Sequence, residues 1–565
     1  MKKLISLLLV ASLVLALAAC GTGGKTTASP DVSAPVSTSP SVTPSEAASP
    51  SAPKTIKIGV SYDPTTLDPA DLNLDCAYDC AFLIYDPLLQ DVDGKISAGA
   101  AEKWEHNDSM TEWTFHLRQA AFSDGTAITA GDYVYAIMRI IDPAAGHANA
   151  AGLLKLINAN EYYSGTAKAE DVGIAAVDNS TLKLTFANPV FESEFTSFLY
   201  SPVNEKLAES AGAAYGTAPD KVLGNGPFVM TEWVPDASVT LVKNDMYWNA
   251  DSIKMSEITF LVGATGDTAV DMLQAGEVDL SYFTSANQLT ALTDTGFTSS
   301  PITSSYRCLN LNLAGSSEAM NPFMSNINFR KALNMAIDRE SLCATVLTTD
   351  VPAFRLTAPS ELGVSKAFND EYPYEAWSTT SDPASAKEYL QKALDELGKT
   401  IDDVPPLVLL CYESQSSVTV LSAVQDMLKQ NLGLASEISS QTVQNMMAMA
   451  FGGQFDIWLG GNGTSTPDWL ADFASQYTSA SYAAQPGLRG YSNPEFDALY
   501  DAVAVCTDYS ARKDTLFELE KYFCDNVLNL IVGWTTTHYV ASPAVTGVHF
   551  RADGNPYFAL LDYTA

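Results

Sequence analysis

The sequence predicts a mixed α/β protein of two or three domains. Its 565 residues leave about 510 once a leader and a low-complexity stretch are set aside, and at ~100–200 residues per domain that makes two or three. With 47% hydrophobic and 10% aromatic residues, the chain can bury a sizeable core. Stretches that alternate apolar and polar residues are interleaved with stretches of helical spacing, the periods of strands and amphipathic helices.

Residues 1–20 open on Lys2 and Lys3, run apolar from Leu4 to Leu17 and close on Leu17-Ala18-Ala19-Cys20. A charged start, a short apolar core and small residues at a cut describe an export signal. The run falls short of the ~20 residues that a spanning helix needs. Residues 21–53 are rich in Ser, Thr, Pro, Ala and Gly. They cannot bury enough surface to offset ordering entropy, so a disordered tether is expected there. Gly21-Thr22-Gly23-Gly24-Lys25-Thr26 echoes a phosphate loop, but Ala19 stands where the pattern needs Gly and no strand or helix frames it. Ser51-Ala52-Pro53-Lys54 matches Ser-x-x-Lys by chance.

Order begins at Thr55-Ile56-Lys57-Ile58-Gly59-Val60, a period-two strand. A second strand, 113–118, runs into the turn Ser123-Asp124-Gly125-Thr126, and Thr129 or Asp132 caps a helix over 133–139. Gly224 and Gly226 are expected to allow positive φ ahead of Pro227, leading into a hairpin of 228–232 with 239–243. Phe329, Ala332, Leu333, Ala336 and Ile337 make one apolar stripe, with Arg330, Lys331 and Asn334 facing away. Asp338 caps a further helix over 339–347. Met446-Met447-Ala448-Met449 reads as core filling.

The net charge is −35. So acidic a surface repels phosphate backbones, which excludes nucleic acid as the expected partner. Besides Cys20 there are seven cysteines, an odd number, so at least one thiol stays free. Cys506 and Cys524 sit on two consecutive helices offset by about eleven residues, roughly 16 Å. A disulfide spans only ~7 Å between Cα atoms, so both are expected to be buried apolar thiols. The five histidines are scattered, no His-Glu-x-x-His or Cys-x-x-Cys spacing occurs, and no Gly-x-Ser-x-Gly elbow appears. Cys76 and Cys80 share a helical face with no His to complete a metal set. No enzyme activity, metal or cofactor is expected.

Three sets of residues carry resemblances. Small residues followed by Cys20 resemble the lipobox of bacterial lipoproteins, which implies a diacylglyceryl anchor on Cys20 and a membrane-held, extracytoplasmic domain. Leu67-Asp68-Pro69, Tyr85-Asp86-Pro87-Leu88-Leu89, Ala101-Glu102-Lys103-Trp104 and the 113–118 strand are similar, in that order, to family 5 of bacterial extracellular solute-binding proteins. So are Gly224-Asn225-Gly226-Pro227-Phe228, Tyr247-Trp248, the helix around Phe329-Arg330-Lys331-Ala332-Leu333, and Gly490-Tyr491-Ser492-Asn493-Pro494. The resemblance covers nearly the whole mature chain. It implies a two-lobed periplasmic-binding-protein-like fold (class II, cluster C) with an extra subdomain and a hinged ligand cleft. Lobe I would combine 54–91, 189–305 and 532–565, with the inserted subdomain at 92–188 and lobe II at 306–531. The implied function is the monomeric solute-binding component of an ABC importer, capturing an oligopeptide or similar polar solute for a membrane permease.

By the same resemblance the cleft holds 458–469. Peptide-binding members carry an Asp there that holds the ligand's α-ammonium through a charge-assisted hydrogen bond. This chain has Gly463 or Thr464 at that place, and Gly461 where the family has Trp. Asp468 lies beyond Pro467. The groups left to bind a solute are Asn462, the hydroxyls of Thr464, Ser465 and Thr466, and the Trp469 ring, faced by Asn73, Leu74 and Asp75. Such a set suits blocked peptides, sugars or other polar solutes, though Thr464–Thr466 equally reads as a capping run before a helix. A surface sensor or adhesin on the same fold is the alternative from another class, and a secreted hydrolase is the third.

Overall fold

The computed structural model describes residues 54–73, 75–292, 295–359, 361–463 and 469–564, without the side chains of Asp75, Ser304, Asn462 and Gly463. The expectations for the leader, Cys20 and the tether lie outside these residues. Among the described residues no helix is long and apolar enough to cross a membrane.

Strand β1 (Thr55–Val60) alternates as its sequence predicts, with Ile56 and Ile58 buried. After helix Asp75–Ile84 comes the hairpin of β2 (Leu89–Val92) and β3 (Lys95–Ala98). A separate four-stranded antiparallel sheet follows, made of β4 (Ala101–His106), β5 (Glu112–Leu117), β6 (Ile174–Asp178) and β7 (Thr181–Thr185) in the order β4-β5-β7-β6. Helix Ala130–Ile140 packs on it, and the Asp132 carboxylate accepts from the Thr129 N–H and hydroxyl, each at 2.8 Å. This unit has its own core around Trp113, Phe115, Ile137 and Phe195. That core also draws on Leu88, Leu89 and Tyr200, which lie outside 92–188, because the β2–β3 hairpin and the chain near Phe195 close over the small sheet.

The main sheet is eleven-stranded. It takes up β8 (Phe228–Val234), β9 (Ser238–Lys243), β10 (Glu257–Val262) and β11 (Leu280–Phe283), then β12 (Thr298–Leu311) and the short β13 (Asp350–Pro352). β14 (Leu407–Tyr412), β15 (Ser436–Gln441), β16 (Ile457–Gly463) and β17 (Asn529–Ala541) complete it. The order is β15-β14-β16-β12-β17-β11-β1-β10-β9-β8, with β13 on β17. β1 runs parallel to β10 and β11, and β14 runs parallel to β15 and β16. Among the described residues the two parallel ends are joined through the long antiparallel ribbon of β12 and β17, whose register shifts at Thr303/Ser305 and Arg307/Cys308. Such bulges bend a ribbon. One core, around Ile56, Phe260 and Tyr557, lies at the β1 end, and another, around Leu309, Leu409, Val424 and Trp534, at the β14 end. The molecule is two-lobed, and β17 belongs to both halves, since Val532 and Trp534 pack in the second core while Ala541 packs in the first.

Three local expectations change. Gly224 and Gly226 are not needed for positive φ, which neither adopts. They are needed for close approach, because a Cβ on Gly224 would sit 2.0 Å from the Ile84 carbonyl oxygen and one on Gly226 2.6 Å from the Ile84 carbonyl carbon. Helix Ile327–Ala336 buries its apolar stripe as read, but Arg330 and Asn334 are buried too. Arg330 donates to the carbonyls of Met324 (2.9 Å), Ser325 (2.8 Å), Asn526 (2.9 Å) and Val527 (3.1 Å). It thereby satisfies orphan carbonyls at two helix ends, a use of arginine that offsets its desolvation. Cys524 is buried as expected, whereas Cys506 is partly exposed and its thiol donates to the Asp508 carbonyl at 3.4 Å. Asp338 does cap helix Arg339–Thr345, accepting from the Ser341 N–H at 2.7 Å.

Candidate functional site

A cavity of about 1440 Å³ lies where the two halves and the small subdomain meet. That exceeds the ~300–1,000 Å³ usual for small-molecule pockets. It sits at the carboxyl ends of parallel strands β14 and β16, the place where open α/β sheets take ligands. β14 pairs with β16 only at Leu409–Ile457 and Leu410–Trp458, yet the strands continue to Tyr412 and Gly463. Beyond that fork Leu459, Gly460 and Gly461 line the cavity, with one backbone edge paired to β12 and the other without a strand partner among the described residues. In the fork stands the N-terminus of helix Gln415–Leu432, where the Ser414 hydroxyl accepts from the Ser417 N–H at 3.1 Å. Ser416, Ser417 and Tyr412 face the cavity.

The rest of the lining is mixed. Tyr282, Ser285, Thr348, Thr535 and Tyr539 bring hydroxyls, while Phe82, Phe191 and Met446 bring apolar surface. Most lining charges are matched locally. Lys155 pairs with Glu194 at 2.6 Å, and Arg307 Nε donates to Asp350 Oδ2 at 2.9 Å. The Arg551 guanidinium stacks on Phe82 at 3.9 Å and donates to the Thr196 carbonyl at 2.7 Å. Behind the Arg307 pair, burial pushes the Cys343 thiol up to about 12, with the Asp350 charge adding to it. That thiol stays protonated and adds no charge to the wall. The Trp458 indole N–H is buried with no hydrogen-bond partner among the described residues.

Contacts from one half to the other close the cavity. Thr349 donates to the Thr284 carbonyl at 2.9 Å and the Ala286 N–H donates to Thr348 Oγ1 at 3.3 Å. Phe191 meets Tyr509 edge-on at 5.5 Å and lies 5.3 Å under the Arg512 guanidinium.

Of the residues singled out in the sequence, Gly461 lines the cavity. Asn462 and Gly463 are the last residues of β16, with backbones opposite Tyr306 and Ser305. Thr464, Ser465, Thr466 and Asp468 lie outside the described residues, as does Leu74. Asp75 is the first residue of helix Asp75–Ile84. Asn73 is exposed and accepts from the Thr65 hydroxyl at 2.9 Å, away from the lining. Trp469, expected to offer its ring to the solute, is 5% exposed and packs on Tyr306 and Phe473. It opens helix Trp469–Ser475, whose buried Phe473 meets Tyr477 and Phe523. The site residues that the sequence reading missed are Arg307, Asp350, Tyr412, Ser416 and Asp472. One of them had a signal, because Arg307 is the lone charge between Asp294 and Glu318.

Gly461 is required by packing. A Cβ there would lie 2.4 Å from the Tyr306 carbonyl oxygen across the ladder. Gly461→Ala is expected to cost about 1–2 kcal/mol, the lower part of the range for overpacking. Urea unfolding checks this, the midpoint falling with an unchanged slope.

A family profile described as bacterial extracellular solute-binding proteins, family 5 middle, matches residues 95–484. The oligopeptide-binding protein OppA of Bacillus subtilis (strain 168) is 29% identical over 519 residues, covering 89% of this chain and 92% of that protein. The dipeptide-binding protein DppE of the same organism is 28% identical over 465 residues, covering 79% of this chain and 80% of its own length. The substrate-binding domain of an oligopeptide ABC transporter from Bacillus anthracis has the same fold, with a TM-score of 0.73 at 23% identity, over 91% of this chain and 99% of that one. Haemophilus influenzae OppA in complex with the peptide RPPGFSPFR gives a TM-score of 0.71 at 22% identity, over 91% and 99%. With a profile match spanning more than half its length, the chain belongs to the bacterial extracellular solute-binding proteins of family 5.

Proposed function

We propose that this chain is the lipid-anchored, extracytoplasmic receptor of an ABC importer, and that it captures an oligopeptide in the cavity between its lobes and hands it unchanged to a permease. The observation that carries this reading is the edge of β16 that has no strand partner among the described residues and lines a cavity of about 1440 Å³. An extended peptide can add to such an edge by main-chain hydrogen bonds, which are indifferent to side-chain identity. The β12–β17 ribbon is the element about which the halves would turn, since among the described residues it links the parallel ends of the sheet. Binding and closure are the whole mechanism, with no covalent step. Micromolar affinity corresponds to about −8 kcal/mol.

Calorimetry of the monomeric mature domain with pools of tetra- to octapeptides should give saturable heat. Heat from oligosaccharide pools but none from peptides would overturn the peptide reading and favour a non-peptide solute. The anchor is tested in cells. Cys20→Ala should move the protein from the membrane fraction to the medium, because it removes the acyl chains whose burial supplies ~0.8 kcal/mol per methylene. Retention of the variant on membranes would sink the anchor.

A further inference from the structure

We infer that Arg307 is a carboxylate receptor and that the chain selects ligands presenting an anionic group where β12 meets β16. The inference rests on the reading of the cavity as the solute site. Arg307 stands opposite Gly461 in the ladder, and the sequence from Ile457 to Pro467 carries no acidic residue. Its side chain is 36% exposed and lines the cavity, whereas its partner Asp350 is only 2% exposed. Asp350 takes the Nε–H at 2.9 Å. Neither Nη1 nor Nη2 donates to another described residue, which leaves the end-on edge of the guanidinium, with two parallel N–H groups, available to a ligand in the cavity that Arg307 lines.

That edge matches a carboxylate in bidentate geometry, and such charge-assisted pairs are about twice as strong as neutral hydrogen bonds. Asp350 sets the fork's direction in advance, so little rotamer entropy remains to be lost when a ligand arrives. The other lining cations are engaged. Lys155 is paired with Glu194, Arg551 is buried under Phe82 and Thr196, and Arg512 donates to the Val503 carbonyl. A free ammonium would find no acceptor on the guanidinium, which carries only N–H donors. The carboxylate can come from a peptide's C-terminus or from an acidic side chain.

The test measures calorimetric affinity of the mature protein for three tetra-alanine-based probes: the free acid, the C-terminal amide, and the amide with one Ala replaced by Glu. Thermal shifts with succinate and succinamide need no peptide binding at all. Wild type should bind a carboxylate-bearing probe ~10-fold or more tighter than the plain amide. Preference for the free acid alone assigns the C-terminus, and preference for the Glu probe assigns a side chain. Arg307→Gln, made also together with Asp350→Asn so that no buried carboxylate is left without its partner, should erase the difference between the acid and the amide in both forms. Succinate but not succinamide should raise the wild-type melting temperature, and neither should raise that of Arg307→Gln. Equal binding of acid and amide by wild type overturns the inference and leaves the peptide reading intact. If no peptide binds but succinate stabilises only wild type, the peptide reading falls and Arg307 keeps its role. Silence in both assays overturns the role of Arg307.

Discussion

Glu520→Ala is expected to lower stability by about 3–5 kcal/mol, the cost of removing one partner of a buried ion pair. Glu520 and Arg355 are both 0% exposed. The Glu520 carboxylate accepts from Arg355 Nε at 3.0 Å, from Arg355 Nη2 and from the Thr357 N–H at 2.8 Å. Arg355 also donates to the Tyr372 carbonyl at 2.6 Å, and Phe368, Tyr374 and Phe517 surround its guanidinium at 5.5–5.8 Å. Removing Glu520 therefore strands a cation among aromatic rings, with one carbonyl left to it and no route to water. The pair ties the segment after β13 to helix Tyr509–Asp525, so its loss loosens one wall of the larger lobe. The double variant Arg355→Met, Glu520→Leu should lose far less, because no charge is then buried unpaired. Urea unfolding of the three proteins checks this. Equal losses in the single and double variants would show that packing, not the stranded charge, sets the cost.

The same contrast explains what was legible in the sequence. β1, β5, the 228–243 hairpin and the helix cap at Asp338 are local features, each written in a few adjacent residues whose period or capping oxygen decides the outcome. The order of motifs along the chain was enough to place the whole fold. Arg330 defeated the period rule because the carbonyls it satisfies at 526–527 are nearly two hundred residues away. The site was least legible for a related reason. Its walls come from strands near 305, 350, 411, 460 and 535, which only tertiary pairing brings together. Gly461 could be singled out as a departure from the family's Trp. That the Tyr306 carbonyl leaves no room for a Cβ there is visible only once the register is known. Trp469 misled because an aromatic residue beside a polar loop looks the same whether its helix turns it toward the solute or toward Phe473.

The molecule should lose stability as pH rises from about 4 to about 6 through one identifiable carboxyl, and Asp86→Asn should remove that dependence. Asp86 is 2% exposed and sits where the β2 end of the small subdomain meets lobe I. Burial raises its pKa from 3.8 to about 6, against the lowering effect of hydrogen bonds from Gln90 Nε2 (2.8 Å) and Trp248 Nε1 (2.7 Å) and the charge of Arg118 stacked on Trp248. Because the folded-state pKa lies above the unfolded one, the native state holds the proton more tightly between those two values. By linkage, stability then falls with rising pH across that window and is flat outside it. At ~1.4 kcal/mol per unit, the ionised carboxylate costs up to about 3 kcal/mol above pH 6. Asn is neutral throughout, but its single carbonyl oxygen serves only one of the two donors, which returns about 1 kcal/mol. Asp86→Asn should therefore be more stable than wild type by about 2 kcal/mol at pH 7.5, an advantage that disappears by pH 4, where the folded protein holds Asp86 protonated and ionisation in the unfolded chain has only begun to be favoured. Paired urea titrations at pH 4, 5, 6 and 7.5 isolate this carboxyl, since the other acids titrate alike in both proteins. A gap that stays constant with pH would mean that Asp86 is ionised in the fold across the whole range and that its two donors and Arg118 outweigh its burial.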